Sequence, residues 1–237
     1  MRIGSKFNGP PDSAHGGVAC GVFAGVVDAR RATVRLSAPP PLDEDLRIDD
    51  HPDGSRSIAG AAGPVASVRV WDVPIDLDPL PLLDAEQLAT GARAWLSDVA
   101  PDHPFPTCFG CGHARPERDG LELFPGEIPG SPFRGAAWTP TGADEGAEVP
   151  DWLVWAAVDC PSGAATMPWA DDDQVVLLGQ MSLEIRRRPA VGEHYQVVAR
   201  AGGRDGRKLR SDVAVVASDG ANVARGRCLW ILVDRAG

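Results

Sequence analysis

Pro189-Ala190-Val191-Gly192-Glu193-His194-Tyr195-Gln196-Val197 and Pro40-Pro41-Leu42-Asp43-Glu44-Asp45-Leu46-Arg47-Ile48 carry one pattern. In each, a glutamate stands four positions after the proline and apolar residues follow at every second position. Alternation at period two means a strand with one buried and one wet face. Each stretch leads to an Asp-Gly pair, Asp53-Gly54 and Asp205-Gly206, the pair that favours a tight hairpin turn. Further out, Gly63-Pro64-Val65-Ala66 ahead of Trp71 resembles Gly220-Ala221-Asn222-Val223-Ala224 ahead of Trp230. The offset drifts from 149 residues between Pro40 and Pro189 to 159 between Trp71 and Trp230, as loop insertions would produce. A spacing this long is no solenoid period; it predicts a duplicated domain forming a pseudo-dimer within one chain.

The rest of the chain fits around that repeat. An apolar run, Val18–Val27, is long enough for a buried helix of about three turns, with Ser13 as its N-cap. Strand patterns follow at Thr33–Ser37, Leu46–Ile48 and Gly63–Trp71. Asp72–Pro81 reads as a Pro- and Asp-rich connector. Leu83, Leu88, Ala92 and Leu96 have helical spacing behind a possible Asp84 cap. In the second half, Leu121–Phe124 and Gly135–Trp138 read as short strands. Asp151–Val158 reads as an apolar helix that Cys160-Pro161 ends. Further strands are expected over Val175–Arg187, around Tyr195, Val197 and Ala199, and over Lys208–Ala217 and Asn222–Asp234. The expected units are therefore 1–72, a linker with one helix over 73–107, and 108–237. The fold class is α+β.

Composition excludes several functions. The 237 residues include 33 Asp and Glu against 23 Lys and Arg, a formal net charge of −10, so the chain is no general nucleic-acid binder. No apolar run is long enough to span a bilayer, and Met1–Pro11 has no apolar core of a secretory signal. Five cysteines, an odd number, without a signal are expected to be reduced thiols in the cytoplasm. Cys108 and Cys111 form one C-x-x-C. A tetrahedral zinc site needs two more ligands. His113 is near enough in sequence to be a third, but no second C-x-x-C or H-x3-H exists, and the expectation is no metal.

Three motifs then carry a resemblance that covers most of the chain. His15-Gly16-Gly17 at a helix entry resembles the H-G-G signature of hotdog-fold thioesterases of the phenylacetate-pathway type. Cys108-Phe109-Gly110-Cys111-Gly112, followed by Gly120-Leu121, is similar to the C-x-x-C-G…G-L start of many hotdog proteins. Arg188-Pro189-Ala190-Val191-Gly192-Glu193 is similar to their R-P-x-x-x-G-E turn, one residue shorter. The resemblance implies a double hotdog: two tandem antiparallel sheets, each wrapped around a central helix, joined into one continuous sheet. It also implies a site between the units, built from N–H groups at one unit's H-G-G helix and an acid on the other's helix.

In that family the acid commonly lies nine positions past the histidine. Nine past His15 is Ala24, and nine past Pro150, the aligned start of the second helix, is Asp159. One half thus keeps H-G-G without the acid and the other keeps the acid without H-G-G, which implies one composite site and one dead one. The implied chemistry is thioester hydrolysis. Gly17, with Gly16, would offer free N–H groups to the oxyanion at the positive end of the helix dipole. Asp159 would be base or nucleophile, and His15 a catalytic or loop-orienting residue. Ser162 would hold the water or the sulfur. Arg186, Arg187 and Arg188 would contact coenzyme A phosphates, and Trp155 would line an acyl pocket.

Blander roles stand beside these: tight packing for the glycines, a helix C-cap for Asp159, a solvated strand for the arginines, core filling for Trp155. Coenzyme A enters as part of the substrate, with no separate cofactor, and self-association through the sheets is expected. The alternatives are a non-catalytic acyl-CoA or lipid-binding module and, more weakly, an enoyl-CoA hydratase-like enzyme. For the latter, the expected Asp and His five residues apart at the helix entry are missing from both halves.

Overall fold

The computed structural model describes residues 1–235. Helix α1 spans Gly16–Ala24 and is followed by strands β1 (Arg31–Leu36), β2 (Arg47–Asp50), β3 (Arg56–Gly60) and β4 (Gly63–Val70). After helix α2 (Ala85–Ala94) and strand β5 (Phe133–Trp138), the same series recurs. Helix α3 (Asp151–Ala164) precedes β6 (Gln174–Ile185), β7 (Tyr195–Asp205), β8 (Lys208–Ala217) and β9 (Asn222–Asp234).

All nine strands form one antiparallel sheet in the order β2-β3-β4-β1-β6-β9-β8-β7-β5. Read outward from the centre, β1-β4-β3-β2 on one side and β6-β9-β8-β7 on the other are the same winding, with β5 added at the far edge. The seam is β1 against β6, with Thr33 opposite Ser182 and Val34 opposite Met181. Ala32, Val34, Met181 and Leu183 face the core there and are fully buried. The Thr33 and Ser182 hydroxyls meet at 2.7 Å on the other face, and Arg31 pairs with the buried Glu184 at 3.1 Å. The Asp-Gly turns adopt the positive φ that glycine permits, 77° at Gly54 and 56° at Gly206.

Both central helices lie on one face of the sheet and pack on each other. A Cβ on Gly17 would come 2.5 Å from the Trp155 carbonyl oxygen, and one on Gly21 2.5 Å from Trp152 Cα. Glycine at these two positions, four apart on one face of α1, is what lets the helices approach.

Three local expectations are corrected. The N-cap of α1 is His15, not Ser13; its Nδ1 accepts the Val18 N–H at 3.3 Å. Helix α3 does not end at Cys160-Pro161 but continues to Ala164 with Pro161 inside it. Val154–Asp159 and Pro161–Ala164 are buried, and packing of this extent outweighs the one hydrogen bond a proline removes. Asp159 is therefore mid-helix and no C-cap. Leu121–Phe124 is not a strand: Leu121 and Leu123 N–H groups donate to Phe109 and Gly110 carbonyls, tying the segment to the C-x-x-C loop instead of the sheet. Asp72–Pro81 is the connector expected, without helix or strand, and it is held in place. The Arg225 guanidinium holds the Leu77 and Ile75 carbonyls, and the Asn222 amide bonds both ways with the Leu80 backbone. The chain is thereby strapped across the outer face of β9. The expected Asp84 cap on α2 is present, as a reciprocal capping box with Gln87.

Candidate active site

The start of α1, from one half, meets the middle of α3, from the other. Asp159 Oδ2 accepts the Gly17 N–H at 2.7 Å and lies 3.2 Å from His15 Nε2. His15 Nδ1 is occupied by the Val18 N–H, so the neutral ring carries its proton on Nε2, which donates to Cys160 Sγ at 3.3 Å and faces Asp159. The group is sealed: His15 is 2% exposed and Asp159 3%. Asp159 Oδ1, equally buried, has no hydrogen-bond partner. One carboxylate oxygen is thus clamped and the other left with free lone pairs.

Burial raises the Asp159 pKa, while His15 and the Gly17 N–H pull it down without fully offsetting that rise. Burial lowers that of His15, but Asp159 and Cys108 outweigh it and bring it to about 8. The Val18 cap opposes ring protonation, since imidazolium would have to give up that hydrogen bond.

His15, Gly16, Gly17 and Asp159 are thus brought together. Gly17 differs from expectation in one respect: its N–H is engaged by Asp159, so it is not free for an oxyanion. Among the described residues the Gly16 N–H donates to no protein atom. A Cβ on Gly16 would lie 3.0 Å from Leu178 Cδ2 and 3.3 Å from Asp159 Oδ2, so its backbone borders both the carboxylate and the Leu178 side chain that covers it.

The remaining expected residues are elsewhere engaged. Ser162 is fully buried; its Oγ donates to the Asp159 carbonyl at 2.8 Å and accepts the Trp230 indole N–H at 3.1 Å. It braces α3 against β9 and has no hydrogen free for a water or sulfur. Arg188 forks onto Asp151 at 2.5 and 3.2 Å, eight residues from Asp159 and so about 12 Å along the helix. Arg186 pairs with Glu184 at 3.5 Å, and Arg187 is exposed. This run forms no phosphate cluster at the carboxylate. Trp155 is 3% exposed and packs where α3 crosses α1, filling core. In the other half Ala24 is buried, so the mirror position has no acid.

Three residues given no role by the sequence reading lie beside this group. Cys160 Sγ is 3.3 Å from His15 Nε2 and 3.8 Å from Cys108 Sγ, and Cys111 is buried in the same cluster. His113, the expected neighbour, is exposed. The signal in the sequence was the glycine spacing around the C-x-x-C, whose meaning depends on what packs against it.

No protein-family profile and no curated protein matches the sequence. Solved structures do match over nearly the whole chain. A candidate thioesterase from Novosphingobium aromaticivorans superposes with a TM-score of 0.62 at 12% identity, covering 98% of this chain and 94% of that one. The tesB protein of Mycobacterium avium subsp. paratuberculosis gives 0.58 at 11% identity, with 93% and 87% covered. The acyl-CoA thioesterase II TesB2 of Mycobacterium marinum gives 0.51 at 14%, with 95% and 93% covered. The fold is the double hotdog.

Proposed function

We propose that the chain hydrolyses an acyl thioester, with coenzyme A as the thiol carrier, at the one composite site between its halves. The observation that carries this reading is the Asp159 carboxylate, with Oδ2 held by Gly17 and His15 and Oδ1 unpartnered at the N-terminus of a helix from the other half. Asp159 Oδ1 takes a proton from water as the water oxygen attacks the thioester carbon. The carbonyl oxygen becomes an oxyanion facing the Gly16 N–H and the positive end of α1. Collapse of the tetrahedral intermediate expels the thiolate, and Asp159 returns the proton. His15 positions the carboxylate. The names of the structural neighbours agree with this chemistry, and fold likeness alone does not fix function.

The test is thiol release from short, long and aromatic acyl-CoAs by wild type and Asp159→Asn. Loss of a general base predicts a fall of at least about a hundredfold in kcat. Undiminished turnover by the variant would sink the assignment.

A second reading, a binding module without turnover, is favoured by one observation. Neither of two surface cavities, of about 250 Å³ beside Thr33 and Trp71 and about 190 Å³ beside Trp95 and Arg134, is lined by His15 or Asp159. Calorimetric binding of an acyl-CoA with no thiol release would establish that reading in place of the first.

A further inference from the structure

We infer that Cys108, Cys111, Cys160 and His15 form a zinc site that pins the C-x-x-C loop to both central helices. The four residues come from three separate parts of the chain: the loop, α3 and the N-cap of α1. Zinc in a Cys3His set is tetrahedral with Zn–S near 2.3 Å, which places sulfurs about 3.8 Å apart. Cys108 and Cys160 Sγ are 3.8 Å apart. His15 Nε2 and these two sulfurs all lie within 4.8 Å of one another, and Cys111, buried in the same cluster as Cys108 and Cys160, completes the set by turning its side chain towards them.

The surroundings are built for this convergence. A Cβ on Gly110 would sit 2.5 Å from Cys160 Sγ and 2.6 Å from His15 Nε2, so only glycine leaves room for them at the loop. A Cβ on Gly112 would meet the Cys108 backbone at 2.5 Å, where the Gly112 N–H closes the turn onto the Cys108 carbonyl at 2.8 Å. His103 Nδ1 accepts the Phe105 N–H at 3.0 Å, which leaves its Nε2–H to donate to Cys111 Sγ at 3.6 Å. An outer N–H donor of this kind is what a metal-bound thiolate requires. Arg115, stacked on Phe109 and bonded to the Thr107 carbonyl, places a cation behind the loop.

Loading the site releases the thiol protons. It also moves the His15 proton from Nε2 to Nδ1, which gives up the long Val18 cap and the Nε2–H that faces Asp159 Oδ2 in the unloaded protein. Asp159 keeps the Gly17 N–H. The expectation of no metal rested on ligands adjacent in sequence; here the third and fourth ligands come from α3 and from the opposite half.

The test is metal content of the purified full chain, followed by chelation and Co2+ titration under reducing conditions. The expected result is one zinc per chain, and sulfur-to-cobalt charge-transfer absorption with the intense visible bands of a tetrahedral site. Cys111→Ser and Cys160→Ser lose both, Cys228→Ser keeps both, and His15→Ala weakens binding by more than about tenfold. If the ligand variants fail to fold, the wild-type cobalt spectrum still decides. Substoichiometric zinc with no cobalt–thiolate band overturns the site, as does a Cys108–Cys160 disulfide in the freshly isolated protein. The result is independent of thioester turnover, because Asp159→Asn is expected to retain the metal.

Discussion

Gly16 and Gly17 are adjacent and do different things. Gly17 supplies both a close approach of α1 to α3, shared with Gly21, and the N–H that holds Asp159. Gly17→Ala drives a methyl group into the Trp155 carbonyl and Asp159 Cβ, at 2.5 and 2.7 Å. Overpacking against backbone predicts destabilisation of about 3 kcal/mol, the upper end for such changes, read from denaturant midpoints. Gly16→Ala meets the Leu178 side chain at 3.0 Å, which can shift, so it is expected to cost less than about 1 kcal/mol while lowering turnover. Equal losses of stability in the two variants would contradict this division. Ser162→Ala leaves the Trp230 indole N–H unpaired in the core. It predicts about 1–3 kcal/mol of lost stability with kcat unchanged, the opposite of Asp159→Asn.

Among the elements, β6 places a side chain against the start of α1. Its pairing with β9 slips between Leu178 and Gln180, a bulge that re-aims a side chain. The unpaired residue is Gly179, and the last paired residue before it, Leu178, lies over Gly16. Leu178→Ala is expected to raise kcat/KM for bulky acyl groups severalfold and Leu178→Trp to lower it, measured on the same acyl-CoA panel; no change in either would remove the plug from the account. Helix α3 shows why the end of an element was misjudged from sequence. A proline normally marks a boundary, yet at Pro161 burial on both sides dominates.

For the whole molecule, the β1–β6 seam joins the halves, and Glu184 sits on it, 2% exposed and ringed by Arg31, Arg186 and Arg225. Burial would raise its pKa, but the arginines prevail and hold it below the ordinary value. A depressed folded pKa means stability present above the unfolded value, about 4.3, and lost as pH falls through the folded one. Glu184→Gln is therefore expected to destabilise by about 3 kcal/mol at pH 7, and the gap from wild type should narrow towards pH 3. A gap independent of pH would remove the ion pairs from the seam's stability. Among the described residues no helix is long and apolar enough to cross a membrane.

The P-x3-E-x-Φ-x-Φ stretches, the Asp-Gly turns and the offset of about 150 residues determined the double architecture from sequence alone. Strand alternation and glycine turns are local consequences of side-chain period and backbone sterics, and they repeat wherever the residues repeat. His15, Gly17 and Asp159 were legible only through the resemblance to hotdog thioesterases, which implied the H-G-G entry and an acid nine positions on. What only the tertiary structure decided is which group each atom faces: the Gly17 N–H on Asp159, the arginines on acids, Ser162 on Trp230. It also decided that Cys160 and His15 stand beside a C-x-x-C from another part of the chain. These are contacts between residues up to 145 apart, set by how α1, α3 and the sheet pack, and no local pattern encodes the distance between two elements.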